Sequence, residues 1–185
     1  MGPTVTVTLD TNVLDGEFVS YLHRVARFAG LSLDVKTVTV NSRERGAELA
    51  PSVEVIPETT VWDESRWDES VWGGAVREPV PETDLPDGKR PGNSAPAGPA
   101  TLTEPILGIL ASGSFPPLGS RENLSPGQGR QLRDVMSLEA HAREGREVFI
   151  TNDLKGFVNH GRRNQLEELC HTRIVGRDEV GRLWP

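Results

Sequence analysis

Four carboxylates stand where the chain passes from a β-branched or apolar run into a loop or helix: Asp10, Glu44, Asp134 and Asp153. Acids gathered in one place repel each other strongly at low dielectric and contribute nothing to folding by themselves. Such a group is tolerated when a divalent cation sits among the oxygens, so the chemistry these residues suggest is that of an oxygen-ligated metal centre. Each acid alone has a plainer alternative. Asp favours turns and helix starts, Asp134 also suits the positive end of its helix, and Glu44 follows Asn41 at capping-box spacing.

Other reactive residues give no competing site. His23, His141, His160 and His171 are scattered with no i, i+4 pair, which argues against zinc. Cys170 stands alone, so no internal disulfide is possible, and it reads as a small buried apolar residue. Gly127-Gln128-Gly129 lacks the lysine and spacing of a phosphate loop.

The elements that must bring the four acids together alternate along the chain. Thr4–Leu9 alternates Thr and Val and predicts a strand that ends at Asp10. Phe18, Val19, Leu22, Val25 and Ala26 have helical spacing over Gly16 to Phe28, with Gly30 as the stop. Leu33–Val40 predicts a second strand, and Asn41-Ser42-Arg43-Glu44 a helix start. Leu102–Leu110 reads as a short helix. Order returns with a helix from Gln131 to Gly145, a strand at Glu147–Thr151, a helix at Gln165–Cys170 and a last strand at Thr172–Val175. Strand–helix alternation of this kind predicts an α/β fold, a three-layer α/β/α sandwich with a central, mostly parallel sheet. Ligand sites in such sheets lie at the carboxyl ends of the strands.

The 185 residues suit one domain, with an irregular acidic Trp- and Pro-rich insertion at about 52–128. Residues 77–100 hold six prolines, and Ser112–Gly129 forms a second Pro/Gly/Ser zone; both read as loops. The net charge of −7 is concentrated: residues 52–100 hold ten acids against four bases. From Lys155 to Arg177 the balance reverses, with five bases against Glu167 and Glu168. That part is free to meet phosphate, or is an ordinary solvated surface. No basic patch followed by an apolar run opens the chain, and no stretch approaches a membrane span, which predicts a cytoplasmic setting without a membrane partner.

The motifs around the acids carry a resemblance. Leu9-Asp10-Thr11-Asn12-Val13-Leu14 follows the first strand. Later, Arg133-Asp134-Val135 opens a helical run through Ala142, followed by Phe149-Ile150-Thr151-Asn152-Asp153 and Phe157. In order and context these resemble the PIN-domain nucleases, over roughly residues 4–50 and 130–177. Asn41-Ser42-Arg43-Glu44 fits that family's remaining acid, with Glu48 as the rival choice. The resemblance implies a metal-dependent endoribonuclease, with Mg²⁺ or Mn²⁺ held by Asp10, Asp134, Asp153 and Glu44. The ion would lower the pKa of a water and offset charge on the phosphate. Asn12, Thr151 and Asn152 would orient the acids by hydrogen bonds, and Lys155, Arg162 and Arg163 are the candidates for the RNA backbone. Similar proteins are often homodimers, and some are toxins paired with an antitoxin. The alternatives are a PIN-like protein-binding module without cleavage, and a nuclease acting on structured DNA.

The insertion departs from that family pattern. Trp62, Trp67 and Trp72 recur at five-residue intervals, which lines up on neither a helix face nor a strand face. Asp63, Glu64, Asp68 and Glu69 would oppose nucleic acid there. The segment reads as a packed surface loop, a protein-docking element or an acidic flap over the site.

Overall fold

A computed structural model describes residues 2–39, 53–57, 102–111, 114–117, 120–121 and 123–184. Five strands, β1 (Thr4–Leu9), β2 (Ser32–Val38), β3 (Glu54–Ile56), β4 (Val148–Thr151) and β5 (Arg173–Gly176), form one sheet in the order β3-β2-β1-β4-β5, and every pairing is parallel. Helices α1 (Gly16–Phe28), α2 (Thr103–Leu110), α3 (Pro126–Arg143) and α4 (Arg162–Cys170) flank it. The expected α/β class is therefore observed, with a sheet that is parallel throughout.

The side-chain period of two sorts β-strand residues into two cores. Val7, Leu9, Val148, Ile150 and Val175 pack with Phe18, Val19 and Leu22 of α1. Phe149 and Ile174 point the other way, against Ile106 of α2, Leu138 of α3 and Leu166 and Cys170 of α4. Val148-Phe149-Ile150-Thr151 is buried at every position because both faces of β4 are covered. The chain leaves β1 toward β2 and leaves β4 toward β5 in opposite directions. Crossovers of one hand then place α1 and α4 on opposite faces, as found.

Local chemistry fixes the elements that lead to the site. Asp15 caps α1 by accepting the Phe18 N–H at 2.7 Å, and Gly30 turns the chain beyond the helix at φ 73°. α3 starts at Pro126, five residues before the predicted Gln131. Ser125 and Gln128 make a reciprocal capping box and Pro126 occupies the first helical position. Part of the expected loop zone Ser112–Gly129 is thus helix. β3 and α2 both come from within the 52–128 stretch, and β3 had no counterpart in the sequence reading. Glu44, Glu48, Asn41 and the Trp62–Trp72 segment lie outside the described residues. No described helix is long and apolar enough to cross a membrane.

α3 is bolted to the sheet by a buried polar chain. Arg146 Nε donates to Thr8 Oγ1 at 3.0 Å, and Thr8 Oγ1 lies 2.8 Å from His141 Nδ1. On the other side of the ring, His141 Nε2 meets Thr172 Oγ1, which donates to the Glu147 carbonyl at 3.0 Å. Because the Thr172 proton is spent on Glu147, Nε2 must carry the imidazole proton and Nδ1 must accept from Thr8. The ring is neutral: burial, and then the nearby Arg146 charge, push its pKa down from 6.5 to about 3.

Candidate functional site

The strand order reverses direction between β1 and β4, and crevices at the carboxyl ends of strands at such a switch are where open α/β sheets bind ligands. Asp10 and the Thr151-Asn152-Asp153 turn occupy that position. Asp10 extends the β1–β4 ladder, its N–H donating to the Ile150 carbonyl at 3.0 Å, which sets its side chain beside Thr151.

Asp10 is 3% exposed, yet it is a well-supplied carboxylate. Oδ1 accepts the Thr11 N–H at 2.8 Å. Oδ2 accepts the Thr151 hydroxyl at 2.7 Å and the Asn12 amide at 3.0 Å. Thr151 Oγ1 in turn accepts the Asp153 N–H at 3.0 Å, so one hydroxyl joins the two acids. The Asn12 amide orientation follows from its neighbours: Oδ1 accepts the Asn152 N–H at 2.7 Å, leaving Nδ2 to donate to Asp10. The orienting roles expected of Asn12 and Thr151 therefore have their contacts.

Asp153 is held differently. Its Oδ1 accepts the N–H groups of Lys155 (3.1 Å) and Gly156 (3.0 Å), capping the π-helical turn Leu154–Val158. Gly156 makes room for this: a Cβ there would lie 2.4 Å from Asp153 Oδ2. Both acids thus do the capping work that was their plainer alternative.

Asp134 shares the α3 face of Leu138 and His141, at i+4 and i+7. α3 runs antiparallel to the strands, since four residues link its end to the start of β4. His141 is anchored at Thr8; seven helical residues back from it rise about 10 Å, and two strand residues beyond Thr8 rise about 7 Å. Asp134 therefore lies on the strand-carboxyl side of His141. Among the described residues, no three of His, Cys, Asp and Glu come together as a group that would hold a metal ion. The fourth proposed acid, Glu44, and its rival Glu48 lie outside them.

The basic candidates have their own contacts. Arg163 gives both terminal nitrogens to Glu179, at 3.0 and 2.9 Å, and this fork is the main reason the Glu179 pKa lies below its ordinary value. Arg162 donates to the Lys155 carbonyl at 2.7 Å, and Lys155 itself is exposed.

A groove of about 510 Å³ opens beside Asn152, where α1 adjoins the 3-10 turn Arg177–Arg182. Phe18, Tyr21, Arg24, Arg177, Glu17 and Asp178 complete its lining. Arg177 lies 4.8 Å over the Phe18 ring and donates to Asp15 Oδ2 at 2.6 Å. The sequence reading did not single out Asp15, Tyr21, Arg24 or Arg177. Asp15, three residues before Phe18, carried a cap signal; Arg177 carried none. Comparison of the chain with protein-family models, with curated proteins and with solved structures gave no match.

Proposed function

We propose that this chain is a metal-dependent endoribonuclease of the PIN type, hydrolysing RNA phosphodiester bonds with Mg²⁺ or Mn²⁺ at the carboxyl edge of the sheet. The observation that carries the reading is Asp10: a buried carboxylate at the switch point that accepts from Thr11, Asn12 and Thr151 and is tied through Thr151 to the Asp153 N–H. Burying an acid costs stability unless hydrogen bonds, a counter-charge or a metal ion hold it, and this edge supplies Asp10 with hydrogen bonds.

The donor chemistry at this edge fits a hard cation, being made of carboxylates, hydroxyls and amides without thiolate or imidazole. Asp10 and Asp153 would hold the ion, with Asp134 and Glu44 (or Glu48) as the further ligands. Bound there, it would supply a water of lowered pKa and a counter-charge for the phosphate. The chain's own residues perform the positioning. Thr151 and Asn12 fix the rotamer of Asp10 by donating to Oδ2. Gly156 leaves Asp153 Oδ1 on two backbone N–H groups, so Oδ2 is the oxygen not engaged in the cap.

The test is Asp10→Asn, which keeps the shape and removes the charge. Cleavage of single-stranded RNA with Mn²⁺ should fall by roughly 100-fold or more, at a temperature where a thermal melt shows the variant still folded, because the new amide NH2 meets a donor that the carboxylate accepted from. Undiminished cleavage by wild type in EDTA would reject the proposal. The second reading, a PIN-like protein-binding module without cleavage, is favoured by the lack of a three-acid group among the described residues. It predicts that wild type and Asp10→Asn are equally inert on RNA and on structured DNA at any metal concentration.

A further inference from the structure

We infer that the groove between α1 and the Arg177–Arg182 turn is a subsite for one unstacked nucleotide of a single RNA strand, next to the bond to be cut. This rests on the ribonuclease reading and deepens it. The groove is linked to Asp10 through two asparagines. Asn152 lines it, and the Asn152 N–H donates to Asn12, whose amide donates to Asp10. A chain lying across Asp10 therefore has this groove as a path away from it. Its volume, about 510 Å³, falls within the range of about 300–1,000 Å³ usual for ligand clefts.

The lining suits a nucleotide better than a run of phosphates. Tyr21 is 37% exposed, an aromatic ring available for stacking against a base. Arg24 is exposed and makes no ion pair among the described residues. Arg177 is held in place by Asp15 and the Phe18 ring, with its guanidinium still partly exposed. A guanidinium has five N–H donors, so one ion pair leaves others for a phosphate oxygen. Glu17 and Asp178 offset the two arginines, so the groove carries no net positive field to attract a polyanion. Affinity must then come from stacking and from directed hydrogen bonds, for which the two carboxylates offer acceptors to exocyclic amines on a base. A duplex keeps its bases stacked and paired and has none to offer Tyr21.

The experiment is fluorescence anisotropy of the full chain with a labelled oligoribonucleotide of about ten residues, in EDTA so that binding is read without cleavage. Tyr21→Ala should weaken binding about tenfold, and Tyr21→Phe should restore it, because stacking needs the ring and not the hydroxyl. Arg24→Gln, at an exposed position with no fold role, should lower the slope of log affinity against log salt by about 1. Annealing the complement should weaken binding at least as much as Tyr21→Ala. Wild-type affinity in both Tyr21→Ala and Arg24→Gln, or equal binding of the duplex, overturns the subsite. The two readings separate cleanly. A wild type that binds through Tyr21 but never cuts with Mn²⁺ keeps the groove as a nucleotide-binding site and removes both the nuclease and the groove's place beside a cut bond. A wild type that cuts, with Tyr21→Ala cutting equally well at low RNA, keeps the nuclease and removes the subsite.

Discussion

Thr151 Oγ1 sits between two acids, giving its proton to Asp10 and taking the N–H of Asp153. Each carboxylate oxygen at this edge is set by the donors that it already accepts from. Asp153 is the sharper case, because its Oδ1 is bound to the Lys155 and Gly156 N–H groups and its Oδ2 lies over Gly156. Gly156→Ala would put a methyl 2.4 Å from Oδ2, too close for any real contact, so the carboxyl must turn. If Asp153 is a ligand, cleavage should fall by as much as roughly 100-fold, while the melting temperature moves by only a few degrees. Initial rates and a thermal melt of the same preparation decide it, and a full rate would leave Asp153 as a cap alone. The places of Asp10 and Asp153 just past strand ends are legible in the sequence because each follows a strand-forming run. The Arg163–Glu179 and Arg177–Asp15 pairs are not, since their partners lie 16 and 162 positions apart and meet only when the elements around β5 pack.

At the scale of elements, the position of α3, the helix that carries Asp134, is set by the chain Arg146–Thr8–His141–Thr172. Thr8→Val keeps the volume and removes the hydroxyl, leaving His141 Nδ1 and Arg146 Nε without their buried partner. We expect a loss of about 2–4 kcal/mol, read as a lower urea midpoint at neutral pH with an unchanged slope. A loss below about 0.5 kcal/mol would mean that packing alone holds the helix. β1 and α1 were read correctly because their patterns are long and regular. β3 was invisible: three residues, two of them exposed, give neither an alternation nor an apolar run. The start of α3 was misread because Gly127 and Gly129 are poor helix formers, and the stronger signal was Ser125-Pro126 with Gln128 behind it.

For the whole molecule, the same histidine makes stability depend on pH. Folded His141 titrates at about 3 and the unfolded chain near 6.5, so between those values the unfolded state binds one more proton. Stability is therefore full above pH 6.5 and falls as pH drops below it, by at most about 1.4 kcal/mol per pH unit. Glu179 acts in the same direction, but only below its ordinary value of 4.5, where its lowered pKa begins to matter. The loss between pH 6.5 and 5 thus belongs to His141. Urea unfolding at pH 7, 6 and 5 should show it, and a His141→Gln variant should show a flatter profile over that interval. An identical slope in that variant would assign the effect elsewhere.

β1 ends at Leu9 and β4 begins at Val148, although the two strands lie side by side. The Asp10–Thr151 hydrogen bond spans 141 positions of sequence. During synthesis that edge cannot close until both strands have left the ribosome, so its carboxylate stays without this partner while the intervening residues are made.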